Sequence, residues 1–247
     1  MQILTETIRR SGSTVLVSTV PRVKILDMKI EVANLYIRAF KGPPWFENLL
    51  VRQEGRWQRA GTESEMDKVK MLRLLGMLRD EDIKPFHTPA EVISTIVGDA
   101  KQKSYSGVLA TDTANDRVVG AHWNISVNEV TDVEKLRNIR RIAKSNGFDA
   151  GRMVYLDEMF VSKEYMNLGI GSTMLKIGGL AAVRDGYTHA ICRTMSSAAM
   201  RCLDKTFGRD NIVDYGRDPE DLQTERRYYI IKLASLMREY ENQEDKN

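Results

Sequence analysis

The sequence predicts a mixed α/β (α+β) fold in a single domain, with helices flanking a central sheet. Three observations carry this reading. Apolar runs of strand length alternate with stretches of helical period along the chain. Residues 105–111 and 117–123 flank the turn-like Asp112-Thr-Ala-Asn-Asp116 and read as a β-hairpin. The apolar run Val154–Val161 leads through a short polar connection to Gly169 and Gly171, then to a helical pattern. No repeat and no linker rich in glycine, serine or proline divides the chain. One domain over residues 1–237 is expected, and the charged tail 238–247 is expected to fray.

Taken in order, Thr14–Val20 reads as a first strand ended by Pro21. Residues 27–40 follow a helical period, with Asp27 as a possible N-cap, and Gly42-Pro-Pro-Trp45 stops that helix. Glu65–Leu78 is a second helix, with Val69, Leu72, Leu75 and Leu78 on one face. Thr88-Pro-Ala-Glu91 starts a third: a threonine cap, a proline in the first turn and a glutamate three residues on. After the hairpin, 131–145 reads as a basic helix ending near Asn146-Gly147. A helix over about 172–184, a strand over His189–Thr194, a helix over 197–206 and a last strand over Tyr228–Leu233 complete the list.

A chain of 247 residues can bury a substantial core, and 42% hydrophobic with 29% charged residues is ordinary for a soluble protein. A net charge of +3 is too small to argue for nucleic acid. No apolar run is long enough to span a bilayer, and Met1–Arg10 alternates polar and apolar without a signal-peptide core. Two cysteines, Cys192 and Cys202, are too few for a disulfide framework, so a reducing, cytoplasmic setting is expected.

The strand–turn–helix run carries the chemistry. A helix N-terminus presents unpaired N–H groups at the positive end of its dipole, which suits an anion such as phosphate. Glycine lets the backbone approach such a group closely. A lysine with serine or threonine directly after the second glycine, in Walker form, is absent, which counts against a nucleotide site of that type.

The order of elements, Phe160-Val161 and the turn Met166-Asn-Leu-Gly-Ile-Gly171 together resemble the GNAT superfamily of acetyl-CoA-dependent N-acetyltransferases, over about Tyr105–Phe207. Gly169 and Gly171 match the family pattern, whereas Met166 stands where arginine or glutamine is usual. The resemblance implies a mixed, mostly antiparallel sheet splayed at the cofactor site. It implies that Asn167, Leu168, Gly169, Ile170, Gly171 and Ser172, with the Met166 amide, cradle the pyrophosphate of acetyl-CoA. It also implies that Met159, Phe160 and Val161 pair through their backbone with the pantetheine arm, between splayed strands.

Transfer of an acetyl group to an amine needs the amine neutral, and a carboxylate can take its proton. Asp157 and Glu158 are the candidates. On an alternating strand they face opposite sides, and Glu158, nearest the family pattern, is the expected base, with Asp157 second. A structural role for both, one paired with a basic group, stands beside that reading. The family's thiolate-protonating tyrosine falls at Leu203 here. Tyr215, Cys202, Ser196 or water remain as substitutes. His87, His122 and His189 lack metal-ligand spacing, and no metal is expected. Pro43-Pro44-Trp45-Phe46 reads either as an apolar lip over the acceptor or as a packed loop. Lys135, Arg137, Arg140, Arg141 and Lys144 read first as a solvated helix face, and otherwise as an attractor of acidic groups. The expected partner is a small amine or peptide amine, without nucleic acid or membrane, in a chain compatible with a homodimer. A non-catalytic acyl-CoA sensor is the alternative.

Overall fold

The computed structural model describes residues 3–10, 12–40, 49–53, 56–60, 63–194, 196–217 and 226–244. The chain opens on a hairpin of β1 (Thr5–Arg10) and β2 (Ser13–Val20), followed by α1 (Arg22–Asp27) and α2 (Lys29–Phe40). A small antiparallel sheet, order β4-β3-β5, contains β3 (Leu49–Gln53), β4 (Arg56–Ala60) and β5 (Ile83–Pro85), with α3 (Glu63–Leu74) between the last two in sequence. Then come α4 (Pro89–Ala100), the hairpin β6 (Ser106–Asp112) and β7 (Arg117–Ser126), and α5 (Val133–Ser145). Next are β8 (Met153–Val161), α6 (Ile170–Arg184), β9 (His189–Thr194) and α7 (Ser197–Phe207). β10 (Ile212–Arg217), β11 (Arg227–Lys232) and α8 (Ala234–Glu244) close the described chain.

The large sheet has eight strands among the described residues, in the order β1-β2-β6-β7-β8-β9-β11-β10. Every pairing is antiparallel except β8 with β9, which run parallel. One face packs on α1, α2, α4 and α5 through Ile25, Leu35, Ile96, Trp123, Ile139 and Phe160. The other face packs on α6 and α7 through Val17, Val119, Met174, Ile177, Leu203 and Phe207.

Several expectations need correction. Pro21, extended at ψ 153°, caps α1 as well as ending β2, so Asp27 closes α1 instead of capping α2. Within that polar–apolar alternation, Thr5–Arg10 is a paired edge strand, held by β2. The small sheet and β10 had no clear apolar run to announce them. Helix α3 ends at Leu74, which leaves Leu75 outside it and exposed. The stretch from Arg238, read as a fraying tail, continues α8 to Glu244: Leu236 is buried against α6, and Glu239 pairs with Lys176 at 2.7 Å. Capping of α4 follows the expected pattern, with Thr88 accepting from the Glu91 amide at 3.2 Å and Glu91 accepting from the Thr88 amide at 2.9 Å. Residues 43–46, the proposed lip, lie outside the described residues.

Candidate functional site

Two features of β8 make the site. First, β8 and β9 pair only at Met153–His189, Val154–Ala190 and Tyr155–Ile191. Beyond these, β8 stays on β7 as far as Val161 and β9 stays on β11 as far as Thr194, so the two strands part. Second, Trp123 opposes Glu158 while Asn124 opposes Leu156, which leaves Asp157 as an extra, bulged residue. The bulge interrupts strict alternation. Residues 157, 158 and 159 are half-buried in succession, and Asp157 and Glu158 line the same cavity instead of opposite faces.

The Ser162 amide donates to Val119 at 2.8 Å, in register with Phe160 opposite Ala121. An antiparallel ladder alternates bonded and non-bonded residues, so Phe160 turns its backbone to β7 while Met159 and Val161 turn theirs to the opening. The expectation that all three backbones serve the cleft is thus narrowed to two. The Phe160 ring packs edge-on against Tyr36, Phe40 and Trp123, at centroid distances of 5.4, 6.3 and 5.9 Å.

On the α6 side of this opening lies a cleft of about 370 Å³. Met159, Phe160, Val161, Met166, Asn167, Gly169, Ile170, Gly171 and Ser172 line it, and Leu168 lines the adjoining hollow. Asn167 and Gly169 both adopt positive φ, 64° and 90°, which turns the chain sharply into α6. The first bond of that helix runs from the Thr173 amide to the Gly169 carbonyl at 3.0 Å, so the amides of Ile170, Gly171 and Ser172 precede the intrahelical ladder. At Gly171 a Cβ would meet Cys202 Sγ at 3.0 Å, so glycine there admits α7 close to the turn. That approach brings Arg201 and Lys205 into the lining. Sequence reasoning missed both. Their only local signal is a spacing of four on one helix, and nothing local says which element that face meets.

Through the opening, a second cavity of about 270 Å³ lies against the cleft, and Phe40, Met159 and Ala199 line both. Its walls include Tyr36, Phe86 and His87 from one side of the sheet and Leu175, Cys192 and Leu203 from the other. Asp157, Glu158, Lys135, Arg193 and Arg226 are its charged lining. His122 is fully buried with Nδ1 2.8 Å from the Glu158 carbonyl, so that nitrogen carries the proton and donates. Burial pushes its pKa down to about 4, and it stays neutral.

Asp99, another residue the sequence did not announce, sits behind Asp157. It accepts from Trp123 Nε1 at 3.2 Å and lies near Asp157. Burial first, and the neighbouring Asp157 charge second, raise its pKa to about 7. Lys135 stands 3.7 Å from Asp157 and 5.0 Å above the centroid of the Tyr155 ring. It is therefore not part of a solvated helix face, although Arg137, Arg140, Arg141 and Lys144 are exposed.

Leu203, at the position where a tyrosine was expected, is 3% exposed and packed in the core. Of the substitutes, Ser196 and Cys202 line the cleft, and Ser196 also caps α7 by accepting from the Ala199 amide at 3.3 Å. Tyr215 packs with the core on the other side of the sheet. His189 contacts Phe148 at 4.6 Å and lines neither cavity. No group of histidine, cysteine and acidic side chains among the described residues could hold a metal ion. No helix among them is long and apolar enough to cross a membrane.

No family model and no curated protein matches the chain. Solved structures do. An uncharacterized protein from Bacillus halodurans, 7% identical, superposes with a TM-score of 0.50 over 96% of this chain and 93% of its own. The PaiA N-acetyltransferase from Thermoplasma acidophilum, solved in complex with coenzyme A, is 11% identical with a TM-score of 0.45, over 87% of this chain and 98% of its own. Nourseothricin acetyltransferase is 10% identical with a TM-score of 0.37; the match covers 53% of this chain and spans 66% of that protein's length. At these identities the likeness is one of fold. That fold is an α/β domain whose mixed eight-stranded sheet opens between β8 and β9, with the glycine turn and α6 beside the opening.

Proposed function

We propose that this chain is an acetyl-CoA-dependent N-acetyltransferase acting on a primary amine. The observation that carries the reading is the continuity of cleft and cavity at Met159, in the gap between β8 and β9, with Glu158 one residue away. The cleft fits a pyrophosphate by its own chemistry. Three amides at the start of α6, the positive-φ turn and the cations Arg201 and Lys205 surround it, and no carboxylate is in its lining among the described residues. The adjoining hollow adds Arg9 and Arg10, with Glu6 and the Lys176–Glu239 pair also in its lining.

Acetyl-CoA, when bound, supplies an activated thioester. The free amides of Met159 and Val161 are aimed where they can polarise its carbonyl. Glu158 takes the proton of the acceptor ammonium, directly or through water, and the neutral amine attacks without an acyl-enzyme. Asp157 is the poorer base because Lys135 and Asp99 already engage it. Leu203 offers no proton, so water, Cys202 or Ser196 protonates the leaving sulfur. A thiol pKa of about 8.5 makes water sufficient.

The buried Leu203 also favours a second reading, an acyl-CoA-binding sensor without turnover. Calorimetry with acetyl-CoA, then thiol release with a panel of amines, separates the two. Binding with release supports the transferase, and binding without release supports the sensor. Absence of binding sinks both.

A further inference from the structure

Lys135 is the one residue of the basic stretch on α5 that turns into the site, and its surroundings are those of a bound cation. Its side chain is 18% exposed and that of Asp157 12%. The ammonium lies over the Tyr155 ring and beside the Asp157 carboxylate, a pairing of aromatic face and carboxylate that suits an alkylammonium. Tyr155 and Asp157 both line the inner cavity, and so does Lys135. Behind them, Asp99 lies near Asp157, and burial first, then that neighbouring charge, raises the Asp99 pKa to about 7. The Asp157 carboxylate faces the Lys135 ammonium, so the cation site is filled from within.

We propose that Lys135 is a specificity residue: its ammonium occupies the cation site made by Tyr155 and Asp157, so that the cavity takes an amine with one charge and an apolar body and turns away a diamine. This deepens the acyltransferase reading and rests on it. The acceptor's reacting nitrogen goes to Glu158, and its body lies along Tyr36, Phe40, Phe86 and His87. A second ammonium on such a body enters a cavity that Lys135 lines together with Arg193 and Arg226, in a site where like charges are poorly screened. Removing the lysine charge exposes a vacant carboxylate and ring for that second ammonium.

Hexylamine and 1,6-diaminohexane are a matched pair of probes, equal in length and differing in one charge. The full chain is compared with Lys135→Met and with the charge-keeping Lys135→Arg. In the wild type, kcat/KM for hexylamine is expected to exceed that for the diamine at least tenfold. Lys135→Met is expected to shift this ratio at least tenfold toward the diamine, and Lys135→Arg to leave it near the wild-type value. An unchanged ratio in Lys135→Met, or an equal shift in Lys135→Arg, overturns the proposal. Calorimetric binding of the diamine without acetyl-CoA gives an answer that does not need turnover. At least tenfold tighter binding to Lys135→Met than to wild type supports the proposal, and equal affinities overturn it. If no amine releases thiol, the transferase reading falls while this binding comparison still decides the role of Lys135. Should the methionine variant fold poorly, Lys135→Gln carries the same comparison.

Discussion

The two cavities that meet at Met159 are built from different materials. The outer cleft has its anion-ready groups in backbone from one span, residues 159–172: positive-φ residues, the first amides of α6 and the exposed edge of β8, faced by side chains of α2 and α7. The inner cavity is made of side chains brought from α2, α5, β7, β8, α6, β9 and α7. Backbone groups are the same in every sequence and recognise something invariant, as a pyrophosphate is. Side chains are free to vary and recognise what differs between substrates. On this division, cofactor binding should depend on conformation at the turn, and acceptor choice on single side chains.

The largest expected effect comes from Glu158→Gln, which keeps the shape and removes the base. Turnover is expected to fall by about 10²-fold or more while acetyl-CoA binding is unchanged. Steady-state rates with calorimetry check this, and unchanged turnover removes Glu158 from its role. Next is Gly169→Val, which places a branched side chain at φ 90°. The left-handed conformation costs such a residue about 1–2 kcal/mol, so the turn relaxes and affinity for acetyl-CoA falls by about tenfold. Acceptor preference, measured at saturating cofactor, should not move, and a change there would blur the division between the two cavities.

A smaller effect is expected from Arg201→Ala with Lys205→Ala. Each partly exposed cation contributes about 0.2–1 kcal/mol, so acetyl-CoA affinity drops a few-fold and becomes less sensitive to added salt. Titrations at two ionic strengths read both quantities.

A last effect concerns stability and leaves cofactor binding aside. The pKa of Asp99 rises from 3.8 to about 7 on folding, so its contribution to stability is full below about pH 4 and is lost as pH rises through 7. Asp99→Asn keeps an acceptor for Trp123 Nε1 without the charge. It should melt above the wild type at pH 8, and the gap should close toward pH 4. A gap independent of pH would mean that the Asp99 pKa is not raised on folding.

How much of this was legible depends on how local the signal is. Gly169 and Gly171 after an apolar strand mark a helix N-terminus within a dozen residues, and that turn forms where expected. Thr88 and Glu91 close their capping box for the same reason. The bulge at Asp157 was not legible, because an extra residue shows only against the register of β7. Asp99, fifty-eight residues before Asp157 in sequence by their numbering, gave no sign of meeting it. Lys135 read as one cation among five on a polar helix, and only the packing of α5 beside β8 singles it out.

By itself the sequence determined the alternation of strands and helices, the glycine turn and its anion-ready amides, because propensity, capping and chain reversal act between near neighbours. The tertiary structure alone decided that β8 and β9 part after Tyr155, that Asp157 bulges into the cavity beside Glu158, and that Lys135 faces Asp157 there. Those outcomes follow from which outer neighbour holds each strand and which helix covers each face. They are contacts between distant segments, and no local pattern encodes them.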